Sequence, residues 1–222
     1  MLFRILFIFV LSNLGSAIFV SPAFAATSSA PTILIYGDSL SASYGIPREQ
    51  GWVALLQQRL KAQGFPHQVV NTSISGETTS GGLSRMRVTL QQHKPEIVVL
   101  ELGANDGLRG LPVAEMQKNL DSMIKASKEA KARVLLLGMM IPPNYGPRYT
   151  REFRETYPQL AQRYNLPFLP FFLDGIAGKT ELTLDDGLHP TASAQPYILD
   201  NIWKALQPML NNNSSQSAKR QP

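Results

Sequence analysis

Apolar and polar positions come in alternating blocks along this chain. Five short runs read as strands: Thr32–Gly37, Gln68–Ser73, Glu96–Gly103, Arg133–Met140 and Pro167–Phe172. Several of them are near-continuous apolar runs, such as Ile97-Val98-Val99-Leu100 and Val134-Leu135-Leu136-Leu137. A strand with one wet face alternates, whereas a strand covered on both faces does not, so these runs predict a parallel sheet flanked by helices. The intervening segments carry one-sided stripes. Trp52, Leu55, Leu56, Arg59 and Leu60 predict a helix over Gln50–Gln63, ended by Gly64. A second helix over Gly82–Gln92 stops before Pro95, and a third over Val113–Ala130 puts Met116, Leu120, Met123 and Ile124 on one face. Tyr149–Tyr164 and Ala192–Leu210 complete the set. Strand and helix in regular alternation predict an α/β doubly wound domain.

The two ends fall outside that pattern. Arg4 precedes the apolar stretch Ile5–Leu11, a brief polar break and Ala17–Val20, and Ala23-Phe24-Ala25 is a small-x-small cleavage site. This reads as a secretory signal peptide over residues 1–25, with the mature chain starting at Ala26. Ser12, Asn13, Gly15, Ser16 and Pro22 interrupt the apolar run and argue against a permanent anchor, so no stable membrane insertion is expected after cleavage. Residues 26–210 then form one domain, and the polar, low-complexity stretch 211–222 reads as a disordered tail. A periplasmic or secreted location follows.

Composition narrows the chemistry. The chain has no cysteine, which excludes disulfides, a thiolate nucleophile, cysteine metal sites and a lipoprotein anchor. Net charge is +5 over 222 residues, with Lys219 and Arg220 in the tail and no basic stripe of the kind nucleic acid needs. No histidine or carboxylate set has metal-ligand spacing, and Gly103-Ala104-Asn105-Asp106-Gly107 lacks the Lys-Ser/Thr of a phosphate loop. No cofactor or metal is expected.

In a parallel sheet, sites gather beyond the carboxyl ends of the strands. Ser39 stands there after the first strand, in Gly37-Asp38-Ser39-Leu40. Gly76 follows the second strand and Asn105 the third, while Asp186-Gly187-Leu188-His189-Pro190 follows the last. A hydroxyl on a sharp turn with an Asp/His pair suggests nucleophilic catalysis, because serine reacts only once a positioned base takes its proton. Imidazole is the side chain suited to that task.

This ordered set resembles the GDSL, or SGNH, hydrolase family, and the resemblance spans Thr32 to Leu210. The blocks that carry it are Gly37-Asp38-Ser39-Leu40-Ser41, the segment around Gly76, Gly103-Ala104-Asn105-Asp106 and Asp186 to His189. Asn144-Tyr145-Gly146 and Ala194-Gln195-Pro196 resemble its bacterial periplasmic thioesterase and lysophospholipase branch, from which Ala104 departs by standing where a glycine is common. The resemblance implies a three-layer α/β/α fold with a five-stranded parallel sheet in the flavodoxin-like order 2-1-3-4-5. It implies Ser39 as nucleophile, His189 as general base and Asp186 as its orienting carboxylate. The backbone N–H groups of Ser39 and Gly76 and the side-chain amide of Asn105 would form the oxyanion hole. Aryl esters, acyl-thioesters and lysophospholipids are the implied substrates, handled by a monomer. A carbohydrate deacetylase on the same scaffold and a non-catalytic periplasmic lipid-binding protein are the alternatives.

The remaining residues receive structural expectations. Asp38 is expected to hold the turn through local backbone bonds, and Asp185 is the weaker choice beside Asp186. Pro190 is expected to open the last helix. His67 is expected at the surface and His93 at a helix C-terminus, where partial positive charge is favoured. Trp52 and Trp203 read as core. Two loops could wall an acyl pocket, Gly107–Pro112 with Leu108 and Arg109, and Ile141–Pro147 with Tyr145 and Pro147.

Overall fold

The computed structural model describes residues 30–210. The expected leader and polar tail lie outside the described residues. Five strands, β1 (Thr32–Gly37), β2 (Gln68–Asn71), β3 (Ile97–Glu101), β4 (Arg133–Leu137) and β5 (Phe168–Leu169), form one sheet in the order β2-β1-β3-β4-β5. All four pairings are parallel. The continuous apolar runs are explained by burial: Ile33–Tyr36, Ile97–Leu100 and Leu135–Leu137 have no exposed surface.

Among the described residues there are six α-helices, α1 (Trp52–Ala62), α2 (Thr79–His93), α3 (Ala104–Leu108), α4 (Val113–Glu129), α5 (Pro147–Tyr164) and α6 (Gln195–Leu210); all but α3, which lies against α4, pack on the sheet. α1 packs against α6, while α2, α4 and α5 pack in series. Trp52 is fully buried, edge-on to Phe172, and Trp203 lies half-buried beside Phe65. His93 ends α2 as expected. Among the described residues no helix is long and apolar enough to cross a membrane.

Several expectations need correction. His67 is buried, not exposed; burial lowers its pKa, although Glu96 Oε1 stands 3.7 Å from Nε2. Pro190 does not open the last helix. It pairs in an antiparallel bridge with Thr183, and α6 begins at Gln195 after a short 3-10 turn over Ala192–Ala194. β5 has two residues, not six, because Pro170 has no N–H to continue the ladder. α2 starts at Thr79 rather than Gly82, since the Asp106 carboxylate takes both the Thr79 N–H (2.8 Å) and its hydroxyl (2.6 Å). The Asp106 carboxylate therefore holds the start of α2, while its carbonyl accepts Leu111 N in its own loop at 3.0 Å. α3 was not expected at all. Its sequence, Ala-Asn-Asp-Gly-Leu, is poor in helix formers.

The turn from β3 into α3 depends on Gly103, which has φ +120°. A Cβ there would overlap the Tyr157 hydroxyl and press on Met116 Sδ at 3.1 Å. The Tyr157 hydroxyl donates to the Leu102 carbonyl (3.0 Å), so it has no room to yield. Gly103→Ala is expected to cost roughly 3 kcal/mol from the backbone conformation and overpacking together. At about 2–4 °C per kcal/mol for a domain of this size, thermal melting should show a drop of about 10 °C.

Candidate active site

Loops at the carboxyl ends of the strands deliver the expected residues to one place. The Asp38 carbonyl accepts from Ser41 N and Ala42 N, at 3.3 and 2.9 Å, which turns the chain sharply after β1 and presents Ser39. The loop after β2 stays tied to β1, since Ile74 N donates to the Gly37 carbonyl (3.1 Å), and so Gly76 is held near Ser39. Gly76 has φ +77°, a conformation that other residues adopt at a cost. A tight turn, with Leu184 N on the His189 carbonyl (2.7 Å) and Gly187 N on the Leu184 carbonyl (2.9 Å), presents Asp186 and His189.

Three side chains lie in series. His189 Nε2 is 2.8 Å from Ser39 Oγ, and His189 Nδ1 is 2.6 Å from Asp186 Oδ2. Asp186 Oδ1 also accepts from the backbone N–H groups of Leu188 and His189, both at 2.9 Å. Burial alone would raise this carboxyl. The two backbone donors and the imidazole outweigh it and hold the pKa at about 2. Asp185 makes no such bonds. The Tyr44 ring packs against the imidazole, tilted by 40° with centroids 4.4 Å apart, a contact that sequence reasoning missed.

Among the described residues neither the Ser39 N–H nor the Gly76 N–H has a protein acceptor. The Asn105 amide differs. Its Nδ2 donates to Asp38 Oδ2 (3.0 Å) and to the Glu77 carbonyl (3.1 Å). Glu77 is itself clamped by Arg85, whose Nε lies 2.8 Å from Oε1. Asp38 holds the turn as expected, accepting Leu40 N at 3.1 Å.

Sequence reasoning also missed Glu101, the carboxylate that ends β3. It is fully buried, and its Oε2 accepts from the Ser41 hydroxyl (2.7 Å) and from Asp38 N (3.2 Å). The available signal was an acidic residue closing an otherwise apolar run. Burial, and then the charge of Asp38, push the Glu101 pKa well up. Burial also raises Asp38, to about 6, against the lowering bonds from Leu40 and Asn105. Both folded-state values lie above the unfolded ones. The stabilisation they give is complete below about pH 4 and is lost as pH rises through 6 and beyond. Glu101→Gln removes one of the two titrations. Its melting temperature relative to wild type should therefore rise between pH 5 and 8; a constant difference would refute the assignment.

A cavity of about 630 Å³ opens over these groups. Ser39, Gly76, Asn105 and His189 form its polar end, and Met139, Ile141, Phe171, Leu173 and Ile176 its apolar wall. Ala104 also faces it. Of the four residues expected to touch substrate, only Leu108 lines this cavity. Arg109 is turned away and donates to the Gly76 carbonyl (2.9 Å). The Tyr145 hydroxyl donates to the Leu108 carbonyl (2.7 Å), which makes it a brace behind the wall. Pro147 is the first residue of α5 and borders a separate groove. Loop position was visible in sequence, but side-chain direction was not.

A hydroxyl, an imidazole and a carboxylate in line at the end of a doubly wound parallel sheet, under an apolar cavity, define an acyl hydrolase of the serine type. The comparisons agree. The chain belongs to the GDSL-like lipase/acylhydrolase family, whose profile matches residues 35–195. It is 48% identical over 183 residues to esterase TesA of Pseudomonas aeruginosa, covering 82% of this chain and 91% of that one. It is 42% identical over 187 residues to thioesterase 1/protease 1/lysophospholipase L1 of Escherichia coli K12, covering 84% and 88%. The crystal structure of the psychrotrophic esterase EstA from Pseudoalteromonas sp., inhibited by monoethylphosphonate, superposes with a TM-score of 0.78 at 47% identity, covering 82% and 99%.

Proposed function

We propose that this enzyme hydrolyses carboxylic esters and acyl-thioesters through an acyl-Ser39 intermediate. The observation that carries this reading is the Ser39–His189–Asp186 series, at 2.8 and 2.6 Å. Ser39 Oγ attacks the carbonyl carbon as its proton passes to His189 Nε2. Asp186, ionised throughout the working range, holds Nδ1–H and stabilises the imidazolium. The oxygen that gains charge receives the free N–H groups of Ser39 and Gly76. Asn105 adds a third donor once its amide gives up the bond to the Glu77 carbonyl. Collapse breaks the bond to the leaving alcohol or thiol, which takes the proton from His189. Water then attacks acyl-Ser39 with the same proton transfers, releasing the acid and restoring Ser39.

The apolar wall of the cavity favours a fatty acyl chain over an acetyl group, and therefore a lipase-like esterase over a carbohydrate deacetylase. Aryl esters, acyl-thioesters and lysophospholipids all present such a chain next to a competent leaving group. The leader-like pattern of residues 1–25, with removal after Ala25, supports a periplasmic or secreted enzyme, which acts as a monomer.

A fluorophosphonate probe together with an ester series tests the reading. The probe should modify Ser39, as shown by peptide mapping; an unlabelled protein would point instead to a lipid-binding role. With 4-nitrophenyl esters from acetate upward, each buried methylene is worth about 0.8 kcal/mol, so kcat/KM should rise by up to roughly fourfold per carbon until the cavity is full. A maximum at acetate would favour the deacetylase.

A further inference from the structure

Large apolar side chains that remain exposed are not spread evenly over this protein. Seven stand out among the described residues: Tyr44, Ile74, Val88, Leu111, Met140, Leu188 and Tyr197. Tyr44, Met140 and Leu188 line the mouth of the reaction cavity, and Ile74 directly precedes Ser75 and Gly76, which line it too. These four come from four different loops, each about 40–50% exposed. They form an exposed apolar rim to the cavity that holds Ser39, three as lining residues and Ile74 next to one. Exposed apolar side chains gathered at the border of a functional cavity mark a binding face.

Beside the ring lies a second groove of about 420 Å³. It shares Met140, Ile141 and Pro143 with the cavity wall and is bordered by Arg151 and Arg154 on α5. Both arginines are exposed, and among the described residues neither has a carboxylate partner within 4.0 Å. One turn away Arg148 is paired with Glu152 at 2.8 Å, so free arginines are not the rule on this helix. The exposed carboxylate nearest in sequence to Leu188, other than Asp186 itself, is Asp185, on the loop that carries the catalytic pair. On this stretch of α5 Arg148, Arg151 and Arg154 stand against Glu152 and Glu155, which leaves the α5 side of the mouth positive by one charge, 3 − 2.

We propose that the mouth of the cavity docks on a lipid surface carrying anionic headgroups. Tyr44, Ile74, Met140 and Leu188 enter the boundary of the acyl chains, and Arg151 and Arg154 meet the phosphates. A protein partner seated on this ring would cover the cavity that holds Ser39. A lipid layer covers the same ring and supplies, through the same opening, the kind of chain the cavity accepts. Apolar insertion combined with arginine–phosphate attraction is the usual basis of such reversible surface binding. The proposal goes beyond the functional reading, and only its account of supply rests on the cavity taking an acyl chain.

The test is sedimentation of the purified, processed protein with vesicles of ether-linked lipids, which it cannot hydrolyse. One set contains equal parts of phosphatidylglycerol and phosphatidylcholine, the other phosphatidylcholine alone. The protein should partition onto the anionic vesicles in preference to the neutral ones. The double variant Arg151→Gln/Arg154→Gln should bind the anionic set roughly 30-fold more weakly, at about tenfold per 1.4 kcal/mol. Ile74→Ser should weaken binding by about tenfold, the loss of one half-buried apolar side chain. In every variant kcat/KM for a water-soluble 4-nitrophenyl butyrate should stay at the wild-type value. No partition onto anionic vesicles, or equal partition of wild type and variants, overturns the proposal while leaving the hydrolase reading intact. A wild type that binds vesicles but cannot hydrolyse the butyrate overturns the hydrolase reading instead.

Discussion

Ser39→Ala is expected to lower ester hydrolysis by on the order of 10⁴–10⁶-fold while the fold survives. The hydroxyl makes one side-chain contact, the 2.8 Å bond to His189 Nε2. The structural role of the residue lies in its backbone, whose carbonyl accepts Tyr44 N at 3.2 Å and is untouched by the substitution. Ser39 faces the cavity, so the imidazole it leaves behind can be solvated and no buried polar group is orphaned. The melting temperature should therefore change by only a few degrees, since each kcal/mol is worth about 2–4 °C. Initial rates on a 4-nitrophenyl ester together with a thermal melt check both halves. A variant that melts normally and keeps more than a tenth of the activity removes Ser39 as the nucleophile. A variant that fails to fold is separated from catalytic loss by the melt, and Ser39→Gly then repeats the test without a nucleophile.

The sheet was legible because burial on both faces leaves its mark on every position of a strand. Ile97–Leu100 and Val134–Leu137 could be read directly for that reason. The site was legible for a different reason: Ser39, Gly76 and Asn105 each stand just past a strand, where a parallel sheet gathers its ligands, while His189, well beyond β5, was legible from its spacing to Asp186. What failed to show was tertiary. α3 exists although Asn105, Asp106 and Gly107 are weak helix formers, because Asp106 is bonded to Thr79 and Asn105 to Asp38 and Glu77. Pro190 looked like a helix start, yet the Thr183–Pro190 bridge uses it to close the hairpin that presents His189. The burial of His67 and the pairing of Glu101 with Asp38 across 63 positions leave no periodic signal. Arg109 and Tyr145 sit in the loops expected to wall the cavity, but both point at backbone carbonyls rather than into it.

The second large effect separates two adjacent aspartates. Asp186→Asn is expected to lower kcat by about 10⁴-fold, because an amide can hand its N–H to His189 Nδ1 and so hold the imidazole in the wrong tautomer. Geometry should survive, since Asn keeps an Oδ1 for the Leu188 and His189 N–H groups that Asp186 now accepts at 2.9 Å. Asp186→Ala removes that acceptor as well, and should add a fall in melting temperature that the asparagine variant lacks. Asp185→Asn, one residue earlier, should leave kcat within about twofold, since that side chain bonds to neither His189 nor its turn. Steady-state kinetics on the three variants with one short ester decide the matter. If Asp185→Asn is the damaging change and Asp186→Asn is silent, the proton on Nδ1 is held from a different direction than the 2.6 Å contact indicates.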